Sequence, residues 1–185
     1  MNKAIFDPRE YAYKRGLAAD YLRGIVSSEK YSAGEVFQVR INVVPLKKFP
    51  EEASERVSEL LYGEEIIIYQ IVNEWAWGQS KTDGYVGYVL MNHISRELKE
   101  NTHEVSALRA FVFEKPDIKT RAITCLSMTS QVNITETKDS FAYAESLGWI
   151  FEKSVKTIGS VENDFVSVAQ RYIGTPYLWG GRSSF

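Results

Sequence analysis

Ile66-Ile67-Ile68, followed in the same segment by Trp75-Ala76-Trp77-Gly78, is the stretch that decides how this chain is read, because it occurs twice. Shifted by 66 positions it returns as Val132-Asn133-Ile134 followed by Phe141-Ala142-Tyr143-Ala144. Further on, Val86-Gly87-Tyr88-Val89 returns as Leu147-Gly148-Trp149-Ile150, now shifted by 61. The drop from 66 to 61 places a five-residue deletion in the distal hairpin of the second copy. Upstream, Val44-Pro45-Leu46 through Pro50 has a looser echo in Leu108-Arg109-Ala110 through Pro116. Apolar residues in these segments recur every second position, which is the period of a strand with one face buried. Two homologous β-units are expected.

Working outward, Val36, Gln38, Arg40 and Asn42 alternate with Phe37, Val39, Ile41 and Val43, so strands begin at Glu35. Tyr62-Gly63-Glu64, Thr82-Asp83-Gly84 and Thr137-Lys138-Asp139-Ser140 supply turn chemistry between short apolar runs. About five short strands in 50–60 residues fit a small barrel, which hides the edges that an open sheet exposes. The fold is therefore read as mainly β, with two tandem SH3-like barrels over residues 35–95 and 104–156. In a strand Trp75 and Trp77 share one face, and a barrel core is the simplest use for them. Residues 1–34 are read as an N-terminal arm lying on the body, with Leu17, Tyr21, Leu22 and Ile25 on one face of a short helix. Past Ser160, Asn163 or Asp164 can cap a helix with Phe165, Val168, Ala169 and Tyr172 on its apolar face, ended by Gly174-Thr175-Pro176.

Composition narrows the function classes. Among 185 residues, 24 acidic side chains nearly balance 22 basic ones without a basic run, so the field that draws proteins to nucleic acid is missing. No uncharged apolar run reaches the roughly 20 residues needed to span a bilayer, and no membrane association is expected. The start, Met1 to Glu10, turns acidic and meets Pro8 before a signal-peptide core can form, which predicts a cytoplasmic protein. The single cysteine, Cys125 in Ile123-Thr124-Cys125-Leu126, is expected to be a buried structural thiol in a strand. His93 and His103 have no metal-ligand spacing to other ligand types and are expected to be solvated loop residues; no metal is predicted.

The last residues run Asp164-Phe165-Val166-Ser167-Val168-Ala169-Gln170-Arg171-Tyr172-Ile173-Gly174-Thr175-Pro176-Tyr177-Leu178-Trp179-Gly180-Gly181-Arg182-Ser183-Ser184-Phe185. This stretch resembles the opening of the catalytic domain of NlpC-family cell-wall cysteine peptidases. Leu61-Tyr62-Gly63-Glu64 and Asp83-Gly84-Tyr85-Val86-Gly87-Tyr88 are similar to the bacterial SH3 domains that accompany it in γ-D-glutamyl-L-diamino acid endopeptidases. The resemblance runs from about residue 35 to residue 185. It implies that 161–185 is a helical stub of an α+β papain-like domain, truncated before the nucleophilic cysteine and histidine, so that this chain alone is inactive. No cofactor is implied.

The resemblance also assigns three residues. Tyr177 matches a tyrosine on the oxyanion side of the nucleophile. Glu64 and Tyr85 match first-barrel positions that hold the free amino end of an L-Ala-γ-D-Glu substrate, a carboxylate and a phenol being suitable partners for an ammonium group. The implied partners are peptidoglycan-derived peptides with a free N-terminal L-Ala. The implied activity is hydrolysis of the γ-D-Glu–diamino acid bond during peptidoglycan recycling or remodelling. The alternative is a stand-alone binding module for a cell-wall peptide or a protein. Tyr177, Leu178, Trp179 and Phe185, left without the rest of a domain, are expected to drive self-association.

Overall fold

A computed structural model describes residues 6–185, so the first five residues of the expected arm lie outside the described residues. The chain divides into two compact units, one holding most of residues 6–98 and the other residues 99–185 together with the short segments 40–43 and 61–63.

The first unit opens with a three-stranded sheet, β1 (Tyr13–Lys14), β2 (Leu17–Ala19) and β3 (Lys30–Ser32), in that order. β1 and β2 are antiparallel; β2 and β3 are parallel. The expected helix over Leu17–Ile25 is not formed. Leu17–Ala19 is hydrogen-bonded on both sides as a strand, only Asp20–Leu22 turns as a 3₁₀ helix, and Gly16 and Gly24 take left-handed φ of +77° and +78° at either side. Tyr21 and Ile25 consequently face solvent, at 51% and 55% exposure. Ala12, Leu17 and Ala19 are buried in one cluster with Tyr69, Trp77 and Val86 of this unit.

That sheet comprises β4 (Glu35–Val39), β5 (Val43–Lys47), β6 (Arg56–Leu61), β7 (Glu65–Val72), β8 (Trp75–Ser80), β9 (Val86–Leu90) and β10 (Ile94–Ser95), in the order β10-β4-β7-β8-β9-β5-β6. Trp75 and Trp77 are both buried. The alternation read from Glu35 to Val43 breaks at Arg40, where the strand ends.

The second unit contains β11 (His103–Val105), β12 (Arg109–Phe113), β13 (Ala122–Ser127), β14 (Gln131–Val132), β15 (Ile134–Lys138), β16 (Phe141–Ala144), β17 (Gly148–Phe151), β18 (Val155–Thr157) and helix α1 (Phe165–Arg171). Its sheets run β14-β11-β18 and β13-β12-β17-β16-β15. Joined at the β14–β15 break they give β18-β11-β14/β15-β16-β17-β12-β13, the strand order of the first unit element by element. The break is local: the Ile134 amide donates to Thr102 Oγ1 at 2.9 Å instead of to a strand partner.

The repeat holds at the level of single residue pairs. Trp77↔Tyr88 and Gly78↔Gly87 in the first unit correspond to Tyr143↔Trp149 and Ala144↔Gly148 in the second. The register slips between Ile68 and Gln70 in one unit and between Ile134 and Glu136 in the other, which is the same position 66 residues on. Both cores use the same sites: Leu60 and Leu126, Ile66 and Val132, Ala76 and Ala142, Val89 and Ile150 are all buried.

Neither unit closes into a barrel as the strand count leads one to expect. Closure requires the end strands to pair, and the first unit's end strands, β10 and β6, are not paired with one another among the described residues. The second unit is divided into two sheets by the break at Asn133.

Candidate functional site

Glu64 and Tyr85 lie at one end of the β7–β8–β9 ladder. Glu64 immediately precedes β7 and Tyr85 immediately precedes β9. Ile66 pairs with Ser80, whose amide donates to the Tyr85 carbonyl at 2.9 Å, and the Lys81 amide donates to the Glu65 carbonyl at 3.0 Å. The Tyr85 amide donates to Asp83 Oδ1 at 3.2 Å, while Ser58 Oγ donates to Asp83 Oδ2 at 2.6 Å. Asp83 thus ties the turn to Ser58 of β6 and to the amide of Tyr85, which is half-buried.

Glu64 is only 2% exposed, a burial that carboxylates seldom show unless a neighbour engages them. Its backbone explains the placement: the Val39 amide donates to the Glu64 carbonyl at 2.9 Å. The corresponding bond in the second unit runs from the Val105 amide to the Ser130 carbonyl at 2.8 Å, so Ser130 is the counterpart of Glu64. Ser130 is fully buried, and its hydroxyl has no hydrogen-bond partner among the described residues. The same fold therefore forms with a short side chain at this position, and a buried carboxylate is not what the backbone path demands.

Tyr177 belongs to the second unit and is 85% exposed. It follows α1, which is capped as expected by Asp164, whose Oδ1 accepts from the Val166 and Ser167 amides at 3.0 and 3.1 Å. The helix ends at Arg171, and Gly174 beyond it takes φ +90°. Val168 and Tyr172 are half-buried and line a cleft of about 570 Å³ against Val105 and Met128, but Phe165 remains 81% exposed. The apolar face read from the sequence is thus only partly covered. The tail is pinned further on, where the Ser184 amide donates to Ser127 Oγ at 3.2 Å and Ser184 Oγ donates to the Leu108 carbonyl at 2.7 Å.

Cys125 lies in β13 and is half-buried rather than buried; burial pushes its thiol up, the reverse of what a thiolate nucleophile requires. His103 is not a loop residue: it sits in β11 between Val132 and Thr157, with its Nδ1 2.8 Å from Thr102 Oγ1. His93 falls in the 3₁₀ turn Met91–His93 and is half-buried. Among the described residues no group of His, Cys, Asp and Glu side chains is arranged to hold a metal, and no helix is long and apolar enough to cross a membrane.

Residues 46–94 match the family described as the bacterial dipeptidyl-peptidase SH3 domain. The match runs from β5 to the start of β10 and contains both Glu64 and Tyr85. Among solved structures, an NlpC/P60 family protein from Bacillus cereus superposes with a TM-score of 0.66 at 12% identity, over 82% of this chain and 68% of that one. NlpC2 and NlpC1 from Trichomonas vaginalis align over 78% and 88% of this chain at 15% identity, each with a TM-score of 0.31. The chain spans 56% and 58% of those two proteins. No curated protein matches it. Residues 46–94 are thus similar in sequence to this SH3 domain, and the fold is similar to that of part of an NlpC/P60 family protein.

Sequence reading missed what the arm contributes to this unit. Gln79 Nε2 donates to the Glu10 and Gly84 carbonyls at 2.8 Å each, and the Val86 amide donates to the Arg9 carbonyl at 2.7 Å. Contacts between residues 69 positions apart leave no periodic trace in the sequence.

Proposed function

We propose that this chain is the substrate-recognition part of a murein-peptide cysteine endopeptidase, with two SH3-like units of which the first receives the amino end of the peptide. In this reading Glu64 supplies the charge that an N-terminal ammonium seeks, and Tyr85 packs and hydrogen-bonds beside it. Tyr177 would serve on the oxyanion side once a nucleophile domain stands behind the residues from Asp164 onward. The observation that carries the proposal is the contrast at one backbone position: a buried carboxylate at Glu64 in the unit that matches the peptidase SH3 family, and a buried serine at Ser130 in the unit that does not.

One charge-assisted hydrogen bond contributes about 1.5–3 kcal/mol, and association costs at least ~4 kcal/mol. L-Ala-γ-D-Glu alone should therefore bind no more tightly than millimolar or not at all, any binding being read as movement of the Tyr85 amide resonance. Binding should vanish for the N-acetylated dipeptide and in Glu64→Ser, which reproduces the second unit at this position. Equal binding of free and acetylated dipeptide would remove Glu64 from the site. The intact chain should release no product from L-Ala-γ-D-Glu-diaminopimelate; turnover abolished by Cys125→Ser would overturn that assignment. The same reading includes a cytoplasmic location and self-association through Tyr177, Leu178, Trp179 and Phe185, the latter tested by sedimentation over a concentration series.

A further inference from the structure

The first unit carries a cavity of about 260 Å³ at the seam between the arm and the sheet. Its walls include Trp77 and Tyr88, direct partners on β8 and β9, with Phe49 from the β5–β6 loop and the cations Arg9, Lys14 and Lys48. Among the described residues, no acidic side chain lines it. Lys14 Nζ lies 4.5 and 4.9 Å from the ring centroids of Trp77 and Tyr88 and donates to Tyr88 Oη at 2.9 Å.

The three cations are not equivalent. Arg9 is taken by Asp7 through Nε and Nη2, and Lys48 Nζ is 2.9 Å from Glu55 Oε2. Lys14 has no carboxylate partner among the described residues, and its half-buried ammonium uses one of three N–H donors on a neutral phenol. Because Tyr88 Oη accepts from Lys14, its own proton is free to be donated. Two donors held 2.9 Å apart at the mouth of an apolar, aromatic cavity form a receptor for a group with two acceptor oxygens and a negative charge.

We propose that this cavity binds a compact carboxylate with an apolar body, such as the C-terminal residue of a peptide, through Lys14 Nζ and Tyr88 Oη beside Trp77. A cationic ligand is disfavoured, because Lys14 already occupies the two ring faces and the charged side chains on the wall are all positive. The volume suits one residue rather than a drug-sized molecule. The inference does not rest on the proposed function, which concerns an amino group at Glu64.

The test uses the intact chain with N-acetyl-L-alanine as probe and N-acetyl-L-alaninamide as its neutral counterpart. Acetylation removes the amino group, so a signal cannot come from the Glu64 proposal. The Trp77 indole N–H resonance, assigned with Trp77→Phe, should move saturably with the carboxylate and at least tenfold more weakly with the amide. Lys14→Met should weaken carboxylate binding at least tenfold, while Lys14→Arg should stay within about threefold of the unmodified protein. Equal binding of acid and amide, no saturable movement, or an unchanged affinity in Lys14→Met would each overturn the proposal. Should Lys14→Met fail to fold, the comparison of acid with amide on the unmodified chain still decides.

Discussion

Gly87 and Gly148 are counterparts in the two units, and each crosses a neighbouring strand too closely for a side chain. A Cβ built on Gly87 would lie 2.6 Å from the Lys47 carbonyl oxygen and 2.7 Å from Leu46 Cγ. One built on Gly148 would lie 2.6 Å from the Phe113 carbonyl oxygen and 2.9 Å from Val112 Cγ1. Lys47 and Phe113 are themselves counterparts, so the close approach is part of the repeated fold. Both obstacles include backbone, which moves only with its strand, and overpacking of this kind costs ~1–3 kcal/mol. Gly148 also has φ +141°, where an L side chain adds strain of ~1–3 kcal/mol. Gly87→Ala should therefore destabilise its unit by ~1–3 kcal/mol and Gly148→Ala its own by ~2–6 kcal/mol. Gly84→Ala separates the two causes, since Gly84 has φ +77° but nothing within 4 Å of its built Cβ. Urea unfolding followed by fluorescence reads the effects, with Trp75 and Trp77 reporting on the first unit and Trp149 and Trp179 on the second. At a slope of about 1 kcal/mol per molar, each kcal/mol moves the midpoint by about 1 M. An unchanged midpoint for Gly87→Ala, or a smaller loss for Gly148→Ala than for Gly87→Ala, would refute the reasoning.

Other outcomes are equally specific. Burial, with the nearby Tyr21 phenol adding to it, pushes the Tyr69 pKa up to about 12 from an ordinary 10. The folded state therefore holds this proton more tightly than the unfolded one, and stability should be independent of Tyr69 below pH 10 and fall between pH 10 and 12; Tyr69→Phe should flatten that fall in a denaturation series. The Cys125 thiol, raised by burial, should react with iodoacetamide at neutral pH more slowly than N-acetylcysteine, as mass spectrometry over time will show. Asp164→Ala removes the acceptor for two amides and should cost α1 about 1 kcal/mol, seen as faster amide exchange at Val166 and Ser167. Ser184→Ala should increase proteolysis of the tail, because the Ser184 hydroxyl bonds the Leu108 carbonyl.

The β-repeat was legible because strand pairing constrains side chains in a simple period: the 66- and 61-residue shifts return as Ile68/Ile134, Trp77/Tyr143 and Tyr88/Trp149 in the ladders. The cap at Asp164 was legible because its chemistry is local. The arm was not. Leu17 to Ile25 offers helical spacing, yet the outcome is set by hydrogen bonds from β1 and β3 and by two left-handed glycines, and none of these appears in an apolar period. Closure fails as an expectation for a similar reason. Strand count suggests a barrel, but whether the last strand reaches the far edge depends on lengths such as the two residues of β10. Glu64 and Tyr85 enter through resemblance alone; that Glu64 is buried cannot be read from a turn-like Tyr62-Gly63-Glu64.

The differences between the two copies locate what the fold does not require. The second copy replaces the turn between β8 and β9 with the shorter Glu145–Leu147 connection, and so lacks any counterpart of Asp83 and Tyr85. It also carries Ser130 where the first carries Glu64. Strand order, the slip after Ile68 or Ile134 and the glycine crossing all persist in both. A requirement of the architecture must appear in both units, since both build it. Glu64, Asp83 and Tyr85 appear in one, gathered at a single end of the ladder, and the arm that brings Arg9 and Lys14 is likewise confined to the first unit. A buried carboxylate that the fold can replace with a serine is retained at a cost in desolvation. Under the proposed reading, Glu64→Ser, which reproduces the second unit at this position, separates recognition from folding better than a truncation to alanine.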